Sequence, residues 1–171
     1  MNNSENYNQL VHEYSIWTSA RASQRGFCSI KQIAIAINKS NLYSFSRQLM
    51  EDYDEDFISR HKKVCESLIN ELSHETRKGA TWGRAAKIVN VYLKTAVVLP
   101  SRGTAPNDIH PPIDSRLLKQ LKRLGIVESI PKAWSKMSEV EYDSVIESLK
   151  KDSRYEQLWM YDRLWKSYSA Y

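Results

Sequence analysis

Asp114 and His110 are the two residues best placed for acid–base work. Asp114 follows Pro111-Pro112-Ile113 and precedes Ser115-Arg116-Leu117, so it stands where a helix begins. A carboxylate there caps backbone N–H groups, and the same negative charge can oppose positive charge developing on a substrate. The two roles coexist. His110 lies four residues earlier, but two prolines intervene, so a turn rather than helical spacing must bring it to the same pocket. Arg21, Gln24 and Arg25 fall on one side of a helix, and arginine forks suit phosphate or carboxylate. Trp82, inside Gly79-Ala80-Thr81-Trp82-Gly83, either stacks on a base or packs beneath the turn. His61 and Cys65 share a helix face at a spacing compatible with a metal, but no second pair of that kind exists. They read as a core cysteine beside a hydrogen-bonded histidine, with no metal or cofactor called for. No phosphate-cradling Gly-x-x-x-x-Gly-Lys-Ser/Thr loop, Gly-x-Ser-x-Gly elbow or His-Glu-x-x-His pair is present.

Charge narrows the partner. Residues 77–136 hold 12 Lys/Arg against 3 Asp/Glu, whereas the stretches on either side each carry a balance of −2. A basic zone confined to sixty residues attracts polyanions, because neutralising phosphates releases condensed counterions. Lys87, Arg116, Lys119 and Lys122 belong to that zone. The longest apolar runs, such as Ile33–Ile37, span about five residues, far short of the ~20 needed to cross a bilayer. The polar start of the chain resembles no signal peptide, and two cysteines, Cys28 and Cys65, make no disulfide framework. A cytoplasmic setting without membrane contact is expected.

The elements that must position these groups read as helices almost throughout. Apolar residues make up 42% and charged residues 26% of 171 residues, enough for one core and one soluble surface. The spacing predicts a helix over 9–24 with Leu10, Tyr14 and Trp17 inward, closed by Gly26. Ser29 caps a second helix to Asn38, and a short third runs near 44–50. A fourth covers 54–77 with Phe57, His61, Val64, Cys65, Leu68 and Leu72 as its stripe. Asp54 and Glu55 at its start, and Arg77 and Lys78 at its end, suit the helix dipole. Residues 84–99 are apolar nearly all round, as expected of a central buried helix. Prolines at 100, 106, 111 and 112 make a loop. A helix over 114–124 then buries Leu117, Leu118, Leu121 and Leu124. Capping boxes at Ser138/Glu141 and Ser153/Glu156 announce the last two helices. Trp17, Trp134, Trp159 and Trp165 read as core aromatics.

Residues 79–118 carry a resemblance. Gly83-Arg84, then Asn90-Val91-Tyr92-Leu93, a proline loop, and Asp114 resemble the core of the helix-hairpin-helix DNA glycosylases, the endonuclease III superfamily, over about 40 of the 171 residues. The resemblance implies that Gly79, Thr81, Trp82, Gly83 and Arg84 meet a DNA phosphate, and that Asp114 stabilises the sugar as a base departs. It also implies that the target base leaves the stack. The hairpin reads Ala80-Thr81-Trp82-Gly83 where the family has Pro-Gly-x-Gly. The lysine of bifunctional members falls at Ala85, so imine chemistry through that position is not available. The iron–sulfur cysteines of some members are absent. The chain as a whole also resembles a set of small bacterial proteins, a likeness that implies a shared site but brings no activity.

The expectation is therefore one all-α domain over 1–171. It would bind DNA through Arg21, Arg25, the 79–84 turn, Lys87, Arg116, Lys119 and Lys122. Asp114 and His110 would serve monofunctional base excision or recognition of an unusual base. The alternative is a non-catalytic adaptor or inhibitor from a phage–host conflict, setting the basic face on an acidic protein.

Overall fold

The structure, a computed structural model, describes residues 3–51, 56–76 and 79–165. These form helices and turns, with no strand among them. The α-helices are α1 (Asn3–Ser23), α2 (Ile30–Lys39), α3 (Leu42–Glu51), α4 (Phe57–Glu75), α5 (Trp82–Leu93), α6 (Ser115–Arg123) and α7 (Glu139–Lys151). Short 3₁₀ turns cover Trp134–Lys136 and Leu158–Leu164. Asp54, Glu55, Arg77 and Lys78 lie outside the described residues.

α5 is the axis of the domain, packed chiefly on α1 and α4. Every residue from Ala85 to Leu93 is buried. The helix does not end at Leu93 but widens into a π-helical turn over Lys94–Val98, closed by the Leu99 N–H donating to the Lys94 carbonyl at 3.0 Å. Local capping follows the sequence. Ser29 and Ser138 each form the reciprocal box, with Gln32 and Glu141. The Ser153/Glu156 box does not form, and the chain instead enters a 3₁₀ turn behind Gln157.

α1 faces the other way from the expected register. It begins at Asn3, and it buries His12, Ser15, Ile16, Ser19, Ala20 and Ser23. Leu10 (64% exposed) and Trp17 (50% exposed) point outward with Tyr7 and Tyr14. Small inward side chains let α1 lie close against α5. Their hydroxyls stay satisfied by bonding one turn back, Ser15 to the Val11 carbonyl and Ser19 to the Ser15 carbonyl, both at 2.7 Å. Periodicity gave the right angle for a stripe, but polarity alone did not show which stripe the close helix contact required. Trp17 is thus a surface residue, Leu124 is exposed, and Trp165 lies half-exposed at the rim. Trp134 and Trp159 pack partly buried against the core.

Gly83 sits where α5 meets the 134–137 segment. Its N–H donates to the Met137 carbonyl at 3.0 Å, and a Cβ there would lie 2.1 Å from the Trp134 carbonyl oxygen. Backbone cannot yield as a side-chain tip can, so Gly83→Ala is expected to destabilise by about 3 kcal/mol, the upper end for overpacking. A urea midpoint within error of the wild type would show that the 134–137 segment moves freely.

Candidate functional site

The buried axis carries one polar stripe, Lys87, Asn90 and Lys94, at three- and four-residue steps. All three side chains reach segments that lack regular structure. Lys87 Nζ lies 3.2 Å from Asp114 Oδ2. Asn90 donates to the Pro111 carbonyl at 3.0 Å. Lys94 pairs with Asp162. The stripe therefore clamps the 110–114 segment and the C-terminal 3₁₀ turn onto α5.

Asp114 is the hub. Its Oδ1 accepts from the Arg116 and Leu117 N–H groups at 2.9 and 3.1 Å, capping α6. Its Oδ2 accepts from Lys87 and from Trp165 Nε1 at 3.0 Å. Both members of the Lys87–Asp114 pair are buried. Indoles frame them: the Lys87 ammonium lies 4.5 Å from the Trp134 ring centre, and the Arg116 guanidinium 5.1 Å from that of Trp165.

His110 belongs to a different cluster. Asn90 Nδ2 donates to Tyr142 Oη at 2.9 Å, so the single Tyr142 proton goes to His110 Nδ1, 2.8 Å away. On its other side Asn90 Oδ1 accepts from His61 Nε2 at 2.8 Å. The Cys65 thiol lies 3.8 Å from His61 Nδ1. All five side chains are buried. Burial pushes the His61 pKa down to about 4 and the His110 pKa well below its usual value, and pushes Tyr142 and Cys65 up. The network is neutral at physiological pH. Among the described residues, no three His, Cys, Asp or Glu gather as metal ligands.

Acid should undo this cluster. The unfolded chain takes up protons on these histidines below pH ~6.5, whereas folded His61 resists until about 4. The unfolded state thus binds more protons in that window, and stability falls as pH falls. His61 alone is expected to lose about 2 kcal/mol between pH 7 and 5, with His110 adding at least as much. Urea unfolding across that range measures it, and a flat profile would mean that the histidines are solvated.

The turn expected to meet phosphate is largely occupied from within. Thr81 caps α5 through the Arg84 N–H at 3.4 Å and donates its own proton to the Ser135 carbonyl at 2.6 Å. The Gly83 N–H is taken by Met137. Gly79 sits in the turn itself with φ +61°, Trp82 is partly buried, and the Arg84 guanidinium lies over the Phe27 ring at 4.2 Å. Arg21 lies over Trp17 at the far end of α1, and Arg25 is exposed in the turn that follows. The structure therefore brings Lys87 and Arg116 to Asp114, and places Lys119 and Lys122 on the exposed side of the same α6. It does not bring His110 there: His110 bonds Tyr142, whereas Asp114 bonds Lys87 and Trp165.

The role of Lys87 beside Asp114 was legible but missed. A lysine between Ala85-Ala86 and Ile88-Val89 on a buried helix needs a counter-charge, and Asp114 is one of only three acidic residues in 77–136. The shares of Tyr142 and Trp165 carry no such signal. Comparison of the chain with protein-family models, with curated proteins and with solved structures found no match. No helix among the described residues is long and apolar enough to cross a membrane.

Proposed function

We propose that the protein binds DNA along α6 and removes a base from its sugar at Asp114. The observation that carries this reading is the position of Asp114. It caps a helix whose exposed side is cationic, and it holds a lysine amine at 3.2 Å. Arg116, Lys119, Lys122 and Arg123 are all exposed, and none forms an ion pair among the described residues. Such a row suits a phosphate backbone running past the N-terminus of α6.

In the reaction, the bond from sugar C1′ to the base nitrogen breaks, and its electron pair leaves with the base. The oxygen of a water then bonds C1′ and sheds a proton. The Asp114 carboxylate opposes the positive charge on the sugar between these events. Trp165 leaves Oδ2 when the sugar arrives. Lys87 stands where the amine of an imine-forming enzyme would serve, so borohydride capture on Lys87 separates imine formation from simple hydrolysis.

DNA retention tests the binding half. Lys119→Glu with Lys122→Glu should weaken retention at low salt at least tenfold and lower the salt slope by about 2, without unfolding the chain. Unchanged retention would remove α6 as the DNA surface.

One observation favours a second reading, an interaction module with a protein partner. Tyr7, Leu10, Tyr14 and Trp17 form an outward stripe on α1, with Tyr14 and Trp17 stacked at 5.8 Å. An adaptor of that kind would bind its partner without DNA and without a steep salt dependence.

A further inference from the structure

We infer that the cavity between the π-turn after α5 and the C-terminal 3₁₀ turn binds a small flat carboxylate, held by the N–H groups of His110 and Trp159. This goes beyond the DNA reading and uses neither Asp114 nor α6.

The cavity is about 180 Å³, several times the ~30 Å³ share of one water in the liquid. Its walls are apolar, from Val98 and Leu99 of the π-turn and Pro112 of the proline loop. Wide helical turns of this kind recur at binding sites, because the extra residue re-aims the side chains that follow. Two residues in the lining carry polar atoms with nothing to bond. His110 Nε2 and Trp159 Nε1 are both shielded from solvent and lack a hydrogen-bond partner. His110 itself is only 4% exposed.

The relay behind His110 fixes what that nitrogen is. The Pro111 carbonyl can only accept, so the Asn90 amide must present Nδ2 to it and to Tyr142. Tyr142 then has one proton, which it gives to His110 Nδ1. A neutral imidazole that accepts at Nδ1 carries its hydrogen on Nε2. His110 Nε2 is therefore a donor, as is any indole nitrogen. Two orphaned buried donors on one cavity are uncommon in a folded protein and call for acceptor oxygens. The rim adds charge of the same preference. Lys94 and Arg163 stand against Asp162 alone, leaving one positive charge over, and Asp162 is already paired with Lys94. A carboxylate offers two acceptors to the donors and a negative charge to the rim. A flat body of single-ring size fits between the Trp159 indole and the aliphatic wall.

Nitrogen-15 NMR of the full chain, with benzoate as the probe and benzylamine as a donor-only control of similar size, tests the site. The free protein should show His110 protonated on Nε2. Benzoate should move the Trp159 indole N–H and the His110 Nε2–H signals saturably, and benzylamine should move neither. Trp159→Phe removes one donor and should weaken benzoate at least tenfold. Leu99→Trp fills the mouth from a residue that is 60% exposed, and should do the same without disturbing the core. A proton on His110 Nδ1, equal shifts with benzylamine, or no saturable shift with benzoate (the result for a cavity that holds water only) would each overturn the assignment. So would benzoate binding that Leu99→Trp leaves intact.

Discussion

Val89→Asp leaves no cooperatively folded protein. Val89 is fully buried at the centre of α5, between the helices that supply most of the core. The substitution forfeits about 1.5–3 kcal/mol of apolar burial. It also places a carboxyl where no donor waits, and an ion or a forced neutral acid there costs several kcal/mol more. A domain of this size has about 5–15 kcal/mol in all, so the two losses together consume most of it. Circular dichroism and a urea melt read the outcome. A soluble Val89→Asp chain with a sharp transition would mean that α5 is not the axis of the domain.

The residues around Val89 show why the central helix was legible. A run that is apolar on every face has one place to go in a small domain, and Ala85 through Leu93 went there. The Ser29 and Ser138 caps were equally legible, since a capping box depends on residues three apart and on nothing distant. α1 was not. Its outward Leu10–Tyr14–Trp17 stripe has the same period as its inward Ser15–Ser19–Ser23 stripe. The choice between them was made by how closely α5 approaches, a tertiary fact. Asp114 was legible as a cap from its place after Pro111-Pro112-Ile113. Its partners were not all so: Trp165 arrives from 51 residues away, on a segment read as core. His110 and Asp114 were expected together because they are near in sequence. The prolines between them instead send one side chain to the His61–Tyr142 cluster and the other to Lys87.

Asp114→Asn separates the cap from the charge. As a cap alone, asparagine replaces aspartate at a cost below ~1 kcal/mol. The ion pair changes that expectation, because the substitution leaves Lys87 buried without its counter-charge. The expected loss is about 3 kcal/mol, the lower end for breaking a buried pair, since a little solvent reaches both groups. Lys87→Met in the same background should recover part of the loss, with a coupling energy of about 1–3 kcal/mol in the double-mutant cycle. Additive losses would mean that the two side chains do not interact. On function the change should be larger. Without the carboxylate charge, base excision should fall by orders of magnitude, while affinity for DNA holds or rises as repulsion from phosphate disappears.

The most direct test measures abasic-site formation by the intact chain on duplexes carrying damaged, mismatched and modified bases, at a temperature where wild type and Asp114→Asn are both folded. The account predicts abasic sites on at least one member of that panel, dependent on Asp114, with binding that weakens steeply as salt rises. No abasic sites on any member, together with no salt-dependent binding of DNA, would contradict it and leave the outward face of α1 and a protein partner as the better explanation.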